Sequence, residues 1–131
     1  MILLDTHVLL FWFGNTSQLS EKQREVLKTV NEDEPFLLSD MSLWEIATLY
    51  SLKRISLNLP LRDWFERAVA LPVVRRIGIT PAIAAEVAAL PDSFHRDPGD
   101  RVIVATARVL GATLLTQDRR IIEAQLVRTL S

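Results

Sequence analysis

The chain has 131 residues, of which 49% are hydrophobic and 24% are charged. This size and composition predict a single globular domain spanning residues 1–131 with a substantial core. The absence of cysteine excludes disulfides and thiolate metal sites, so oxygen ligands and the imidazoles of His7 and His95 are the metal chemistry that remains. The net charge of −1 argues mildly against a basic nucleic-acid binder, although a bound divalent ion would reverse the sign locally.

The amino terminus, residues 1–5, lacks a basic region and meets an acid almost at once. No apolar run approaches the ~20 residues that a membrane span needs. We therefore expect a cytoplasmic protein with no membrane contact. Adjacent basic residues are more typical of solvated surface than of phosphate contacts, and they occur at Lys53-Arg54, Arg75-Arg76 and Arg119-Arg120.

Short apolar runs alternate with helical periodicities along the whole chain. Strands are predicted at residues 2–4, 36–38, 73–77, 112–116 and 126–130, of which 73–77 has the polar residues of an edge strand. Helices are predicted at residues 6–13, 21–30, 43–49, 61–71, 81–90, 98–110 and 120–124. This alternation predicts an α/β domain with a mostly parallel sheet.

The helix at 98–110 has the clearest boundary signals. Asp97 is an N-cap residue type, Pro98 suits the first helical position, and Gly111 supplies the stop. Asp100 then lies in the first turn, where an acid is either a local stabiliser of the helix dipole or a metal ligand. The choice depends on whether other carboxylates reach the same place.

Acids also follow two of the predicted strands, since Asp5 ends the first and Asp118 follows Thr116 after a later one. Ligands of open α/β sheets bind outside the carboxyl ends of the strands, the edge called the rim below. A helix antiparallel to its strands begins at this edge. We therefore expect Asp100 on the same rim as Asp5 and Asp118. Glu45 is either a solvent-facing helix glutamate or a fourth acid of this rim. Clustered carboxylates repel unless a hard cation such as Mg²⁺ or Mn²⁺ neutralises them, which suits metal-assisted phosphoryl chemistry.

Four sequence blocks together resemble the PIN-domain ribonucleases, and most closely the VapC-type toxins of toxin–antitoxin pairs. The blocks are Leu4-Asp5-Thr6 with Val8-Leu9-Leu10, Ser42-Leu43-Trp44-Glu45-Ile46, Asp97-Pro98-Gly99-Asp100-Arg101 with Ala105-Thr106-Ala107, and Leu115-Thr116-Gln117-Asp118. They occur in the family's order and cover nearly the whole chain. The resemblance implies a three-layer α/β/α PIN-like fold with a mostly parallel central sheet.

The resemblance further implies a Mg²⁺-dependent endoribonuclease, with Mn²⁺ as an alternative ion, that hydrolyses RNA phosphodiester bonds. The acidic cluster that binds metal and carries catalysis is carried over as Asp5, Glu45, Asp100 and Asp118. Thr116 matches the hydroxyl residue that assists this cluster, and Asp97 is assigned to the cap. The implied partners are an RNA substrate, a small antitoxin protein and a second copy of the chain in a homodimer.

Other residues near these motifs have more than one interpretation. Thr6 is either a donor behind the site or the cap of the first helix. His7 is expected to be a hydrogen-bonded wall or a substrate contact, and His95 to lie at the surface. Arg101 is expected to pair with a carboxylate or to approach a phosphate. Core or interface positions are expected for Trp12, Trp44 and Trp64.

Two other functions stay open on the sequence alone. One is a catalytically silent binding or dimerisation module of the same fold. The other is a receiver-type signalling domain, which also places acids at strand ends and a threonine late in the sheet. A receiver needs a lysine on a later loop, but the basic residues after Thr116 are all arginine.

Overall fold

The computed structural model describes residues 1–70 and 72–131. The strands are β1 (Ile2–Leu4), β2 (Phe36–Ser39), β3 (Val74–Ile77), β4 (Thr113–Leu115) and β5 (Thr129–Leu130). The helices are α1 (Thr6–Trp12), α2 (Glu21–Leu27), α3 (Asp40–Ser51), α4 (Leu61–Ala68), α5 (Pro81–Ala89), α6 (Pro98–Leu110) and α7 (Arg119–Ala124), with one 3₁₀ turn at Thr16–Gln18.

The five strands form one sheet in the order β3-β2-β1-β4-β5, and every neighbouring pair is parallel. The predicted parallel sheet and the edge position of the strand near Val74 are confirmed. The chain builds outward from β1 to β3 on one side and then from β4 to β5 on the other, so the strand order reverses between β1 and β4. In open α/β sheets this switch point is where ligands bind.

Successive residues along the inner strands point into two separate cores. Leu3 and Leu114 face the core formed with α5, α6 and α7, whereas Leu4 and Leu115 face the core formed with α1 to α4. Side chains alternate between the faces of a strand, so these apolar runs are buried on both sides, as in other parallel sheets covered by helices. The predicted three-layer α/β/α architecture is confirmed.

Several element boundaries differ from those that the sequence predicts. The helix α3 begins at Asp40 rather than at residue 43, because Ser39 Oγ accepts the Met41 N–H and caps it. The helix predicted at 61–71 ends at Ala68, and residue 71 lies outside the described residues. The helix predicted at 21–30 ends at Leu27, and the last strand is confined to Thr129–Leu130.

The helix α6 is the central element of its face. Asp97 caps it, Pro98 occupies its first turn, and Gly111 ends it in a left-handed conformation (φ 66°) that costs glycine little. These boundaries match the prediction. None of the helices in residues 1–70 and 72–131 combines the length and the apolar character that a membrane span requires.

Candidate metal centre

Asp5 lies at the carboxyl end of the central strand. Its backbone N–H donates to the Leu115 carbonyl oxygen (3.0 Å), which fixes Asp5 between β1 and β4. The carboxylate is buried, with Oδ1 accepting from the Thr6 N–H at 2.8 Å and Oδ2 accepting from Thr116 Oγ1 at 2.6 Å. Asp5 is therefore both the N-cap of α1 and a carboxylate of the rim.

Glu45 reaches the same rim from α3. Thr6 Oγ1 donates to Glu45 Oε1 at 2.6 Å and lies 2.8 Å from the hydroxyl of Ser42, which is one turn earlier on α3. Of the two roles left open for Thr6, the structure shows the donor role, since Asp5 caps α1. Gly99 makes room for the Glu45 carboxylate, because a Cβ at position 99 would lie 2.5 Å from Glu45 Cδ.

Asp100 is buried in the first turn of α6, with His95 against it. His95 Nε2 lies 2.6 Å from Asp100 Oδ2. The next residue, Arg101, is buried and donates from Nη1 to the carbonyl oxygens of Phe94 (2.8 Å) and His95 (3.1 Å). The loop before α6 is therefore tied to the same helix turn that carries Asp100.

Asp97 has the predicted capping contact and a second set of neighbours that its sequence position does not reveal. Its Oδ1 accepts the Asp100 N–H at 3.0 Å. One carboxylate oxygen each from Glu45, Asp97 and Asp100 lie within 4.8 Å of one another. An exposed capping residue thus also contributes charge to the cluster.

Asp118 joins the rim through Thr116 and Arg120. Thr116 Oγ1, which donates to Asp5, also accepts the Asp118 N–H at 3.0 Å, and Asp118 Oδ1 caps α7 by accepting the Arg120 N–H at 2.8 Å. The Arg120 guanidinium lies 3.7 Å from Asp100 Oδ2 and 3.6 Å from Asp118 Oδ2. It is therefore a monovalent counter-charge between two of the acids.

Burial and the charges of neighbouring acids raise the pKa values of three carboxyl groups of the cluster, those of Asp5, Glu45 and Asp100. Burial raises the pKa of Asp5, opposed by the hydrogen bonds from Thr116 and Thr6. Burial also raises the pKa of Glu45, to about 7, and the charges of Asp5, Asp100 and Asp97 add to the rise. Burial likewise raises the pKa of Asp100, and the His95 hydrogen bond opposes the rise. Because Asp5 acts on both Glu45 and Asp100, these acids share one electrostatic environment.

This donor set fits a hard divalent cation. Its charged atoms are carboxylate oxygens, which Mg²⁺ and Mn²⁺ prefer, and both burial and the neighbouring acids disfavour the ionised forms of Asp5, Glu45 and Asp100 unless a cation compensates their charge. Room for the Glu45 carboxylate depends on the missing side chain at Gly99.

A family model for the PIN domain matches residues 2–126 of the chain. The chain belongs to the PIN-domain family. This PIN domain is 38% identical over 120 residues to Ribonuclease VapC22 of Mycobacterium tuberculosis (strain ATCC 25618 / H37Rv), with 92% of this chain and 88% of that protein covered. Family membership excludes the receiver alternative, which also needs a lysine after Thr116 where the sequence has only arginines.

Solved structures share the fold of this PIN domain. VapBC2 from Rickettsia felis, bound to a DNA fragment from its promoter, matches with a TM-score of 0.74 at 13% identity, covering 99% of this chain and 98% of that one. FitAcB from Neisseria gonorrhoeae matches with a TM-score of 0.72 at 23% identity, covering 100% and 97%. VapBC from Salmonella typhimurium, also bound to DNA, matches with a TM-score of 0.72 at 18% identity, covering 98% and 96%.

Two expectations for basic side chains near the motif are wrong. His95 does not lie at the surface but is mostly buried, with 18% of its side chain exposed, because it packs against Phe94 and contacts Asp100. Among residues 1–70 and 72–131, the Arg101 guanidinium pairs with no carboxylate; it is buried and donates to backbone carbonyl oxygens inside the domain, away from any phosphate in solvent. No local sequence pattern signals either position, because both depend on how the loop before α6 folds back onto the first turn of that helix.

The remaining residues singled out in the sequence lie around the site or away from it. His7 is exposed on the first turn of α1 and lines an open groove with Phe13 and Trp64. Trp64 is in the core and Trp12 is half-buried, as expected for core positions. Trp44, next to Glu45, is 59% exposed and belongs to neither core.

Proposed function

We propose that this PIN domain is a Mg²⁺-dependent endoribonuclease, able to use Mn²⁺, that acts as the toxin of a toxin–antitoxin pair. Its metal ligands are the carboxylates of Asp5, Glu45, Asp100 and Asp118. Thr116 orients Asp5 and is part of the same reaction centre. The observation that carries the proposal is that Asp5, Glu45, Asp100 and Asp118 are linked by charge interactions and by the shared Thr116 hydroxyl near the switch point of the sheet, in a chain 38% identical to a ribonuclease.

The proposed reaction is hydrolysis of an RNA phosphodiester bond. When bound, the divalent cation supplies Lewis-acid stabilisation of charge on the phosphate and makes water more acidic. The chain's own residues supply position and a proton acceptor. Glu45 Oε1 is held by Thr6, which leaves Oε2 to accept the proton of the attacking water.

Attraction of the RNA backbone needs positive charge at a rim that is acidic. The whole chain has a net charge of −1, so the bound cation and local arginines have to provide it. Arg120 lies between Asp100 and Asp118 and is more than half exposed, so it is placed to approach a phosphate once a cation neutralises the two acids.

The proposed protein partners are a small antitoxin and a second copy of the chain. The solved VapBC complexes support the antitoxin, and the family resemblance supports the homodimer. An antitoxin Arg or Lys entering the rim would pair with the carboxylates that otherwise bind the cation. When the neighbouring gene is co-expressed, we expect a small protein to co-purify and to suppress cleavage. A chain that is active and soluble with no such inhibitor would contradict the toxin role and leave the nuclease proposal intact.

The direct test is cleavage of total RNA by the purified protein with Mg²⁺ or Mn²⁺, and with EDTA as the metal-free reference. We expect cleavage with metal, none with EDTA, and a loss of orders of magnitude in Asp5→Asn. Asp33→Asn is the matched control, since it removes the same charge from an exposed loop position. Cleavage that persists in EDTA, or undiminished cleavage by metal-saturated Asp5→Asn, would contradict the proposed site.

A further inference from the structure

The loop before α6 presents a histidine that the proposed reaction does not use. His95 Nε2 lies 2.6 Å from Asp100 Oδ2, and the two side chains are 18% and 12% exposed. When Asp100 is ionised, as cation binding requires, its carboxylate only accepts hydrogen bonds, so Nε2–H of His95 is then the donor. This is a short contact between two largely buried groups, and Asp100 is one of the proposed ligands.

The His95 imidazole is itself held in place. Its ring packs on the Phe94 ring with 4.4 Å between centroids, and the Arg101 guanidinium lies 5.8 Å from the centroid of Phe94. Arg101 Nη1 also donates to the carbonyl oxygens of both loop residues. The loop backbone, the aromatic pair and the imidazole therefore form one unit anchored to the first turn of α6.

The contacts to Asp100 fall on one of its two oxygens. His95 and Arg120 both approach Oδ2, whereas no hydrogen bond to Oδ1 is found among the described residues. A carboxylate held at one oxygen cannot rotate freely about its Cβ–Cγ bond, so Oδ1 is presented in a fixed direction. Groups that hydrogen-bond to metal ligands in this way commonly contribute about 10- to 100-fold to metal affinity.

We infer that His95 is a positioning residue that orients the Asp100 carboxylate for divalent-cation binding. The inference rests on the proposed function, since it assigns a role toward the same cation. It differs from a merely structural role, in which the ring would fill space beside Phe94 and the Nε2–H would matter little.

Two substitutions separate the hydrogen bond from the ring. His95→Phe keeps an aromatic ring against Phe94 and removes the donor, whereas His95→Gln keeps an N–H donor at a similar distance from the backbone and removes the ring. Arg96→Ala is the matched loop control, because Arg96 is exposed and pairs only with Asp92 (3.2 Å) among the described residues.

The experiment is calorimetric titration of the purified proteins with Mn²⁺, with thermal unfolding measured in metal-free buffer. We expect His95→Phe to weaken Mn²⁺ binding about 10- to 100-fold, and His95→Gln and Arg96→Ala to stay within about threefold of the wild type. RNA cleavage by His95→Phe should recover at saturating Mn²⁺, because a positioning residue acts through Asp100 rather than on the substrate.

Unchanged Mn²⁺ affinity in His95→Phe would overturn the inference while leaving the nuclease proposal intact. The inference also fails if His95→Gln binds Mn²⁺ as weakly as His95→Phe, or if cleavage by His95→Phe stays low at saturating Mn²⁺. A wild-type protein that binds no Mn²⁺ would instead overturn the proposed function. The wild-type titration therefore tests the proposed function, and the two His95 variants test the inference.

Discussion

Gly99 contributes to the site because it has no side chain, which leaves room for the Glu45 carboxylate. It occupies the first turn of α6, and an added Cβ would collide with the Glu45 carboxylate, which is the far end of a flexible side chain. The collision is therefore relieved by moving Glu45 rather than the backbone. We therefore expect a methyl group at position 99 to disturb the acidic cluster without disturbing the fold.

Gly99→Ala should leave stability unchanged or slightly higher, since alanine in a helix is favoured over glycine by up to about 1 kcal/mol. RNA cleavage should nevertheless fall about 10-fold or more, because Glu45 has to leave the cluster. Gly78→Ala is the control, since a Cβ there would meet only an oxygen of Asp40 at 3.9 Å. Melting temperature and cleavage rate measure the two effects, and full activity in Gly99→Ala would remove Glu45 from the site as we describe it.

Glu45 also predicts a pH dependence for the metal-free protein. Its pKa is raised from 4.5 to about 7 by burial and by the charges of Asp5, Asp100 and Asp97. Between these values the folded state holds a proton that the unfolded state has released, so stability falls as pH rises through the window. The melting temperature should be higher at about pH 5 than at about pH 7.5, with a weaker decline in Glu45→Gln.

The pKa values of Asp5 and Asp100 are also shifted upward, so the decline in Glu45→Gln should be reduced rather than abolished. Saturating Mn²⁺ should oppose the decline, because ionised carboxylates are the form that binds the cation. Equal slopes in the wild type and in Glu45→Gln would contradict the assigned environment of Glu45.

The residues at the strand ends could be predicted from the sequence, but their supporting contacts could not. Asp5 and Asp118 follow apolar runs, and that position alone places them on the rim. His95 and Arg101 depend on how the loop before α6 folds back. No local pattern specifies that the Arg101 guanidinium turns inward to backbone carbonyls and so brings His95 to Asp100.

The helix α6 joins folding and function in its first turn. The Asp97 carboxylate accepts the Asp100 N–H, so the cap that starts the helix also fixes the backbone of a proposed ligand. Its boundaries were predictable because cap, proline and terminal glycine are local signals. The start of α3 was not, because the apolar periodicity begins several residues after the Ser39 cap.

The cap of α6 can be tested apart from the charge of Asp97. Asp97→Ala should lower the free energy of unfolding by about 1 kcal/mol, which corresponds to about 4 °C in melting temperature for a domain of this size. Asp97→Ser should recover most of the loss, because a serine hydroxyl also accepts the N–H. Thermal unfolding of both variants measures this, and equal destabilisation would mean that the hydrogen bond is not what stabilises the helix start.

At the scale of the whole molecule, the acids lie where the strand order of the parallel sheet reverses, between β1 and β4. The alternation of apolar runs and helices was sufficient to predict the parallel sheet and its three layers, but not the order of the strands. That order depends on long-range pairing of β1 with both β2 and β4, which no local pattern records. It is this pairing that brings Asp5 beside Thr116 and Asp118.

Concentrated charge at one rim makes the stability of the whole domain depend on metal. Mn²⁺ at about 100 times its dissociation constant should add about 2.7 kcal/mol to the stability of the wild type. Asp5→Asn should melt higher than the wild type without metal, since a buried charge is removed, and should gain less from Mn²⁺. Thermal unfolding with and without Mn²⁺ checks both, and an equal gain in the two proteins would place the cation elsewhere.

The most direct test of the metal site is the anomalous scattering of Mn²⁺ in crystals of the protein. We predict a peak at the carboxyl ends of β1 and β4, within about 2.0–2.6 Å of carboxylate oxygens of Asp5 and Asp100. Glu45 and Asp118 should lie in direct contact with the ion or one water away from it. A peak elsewhere on the molecule, or an Asp100 carboxylate turned away from Asp5 with no ion between them, would contradict the proposed metal site.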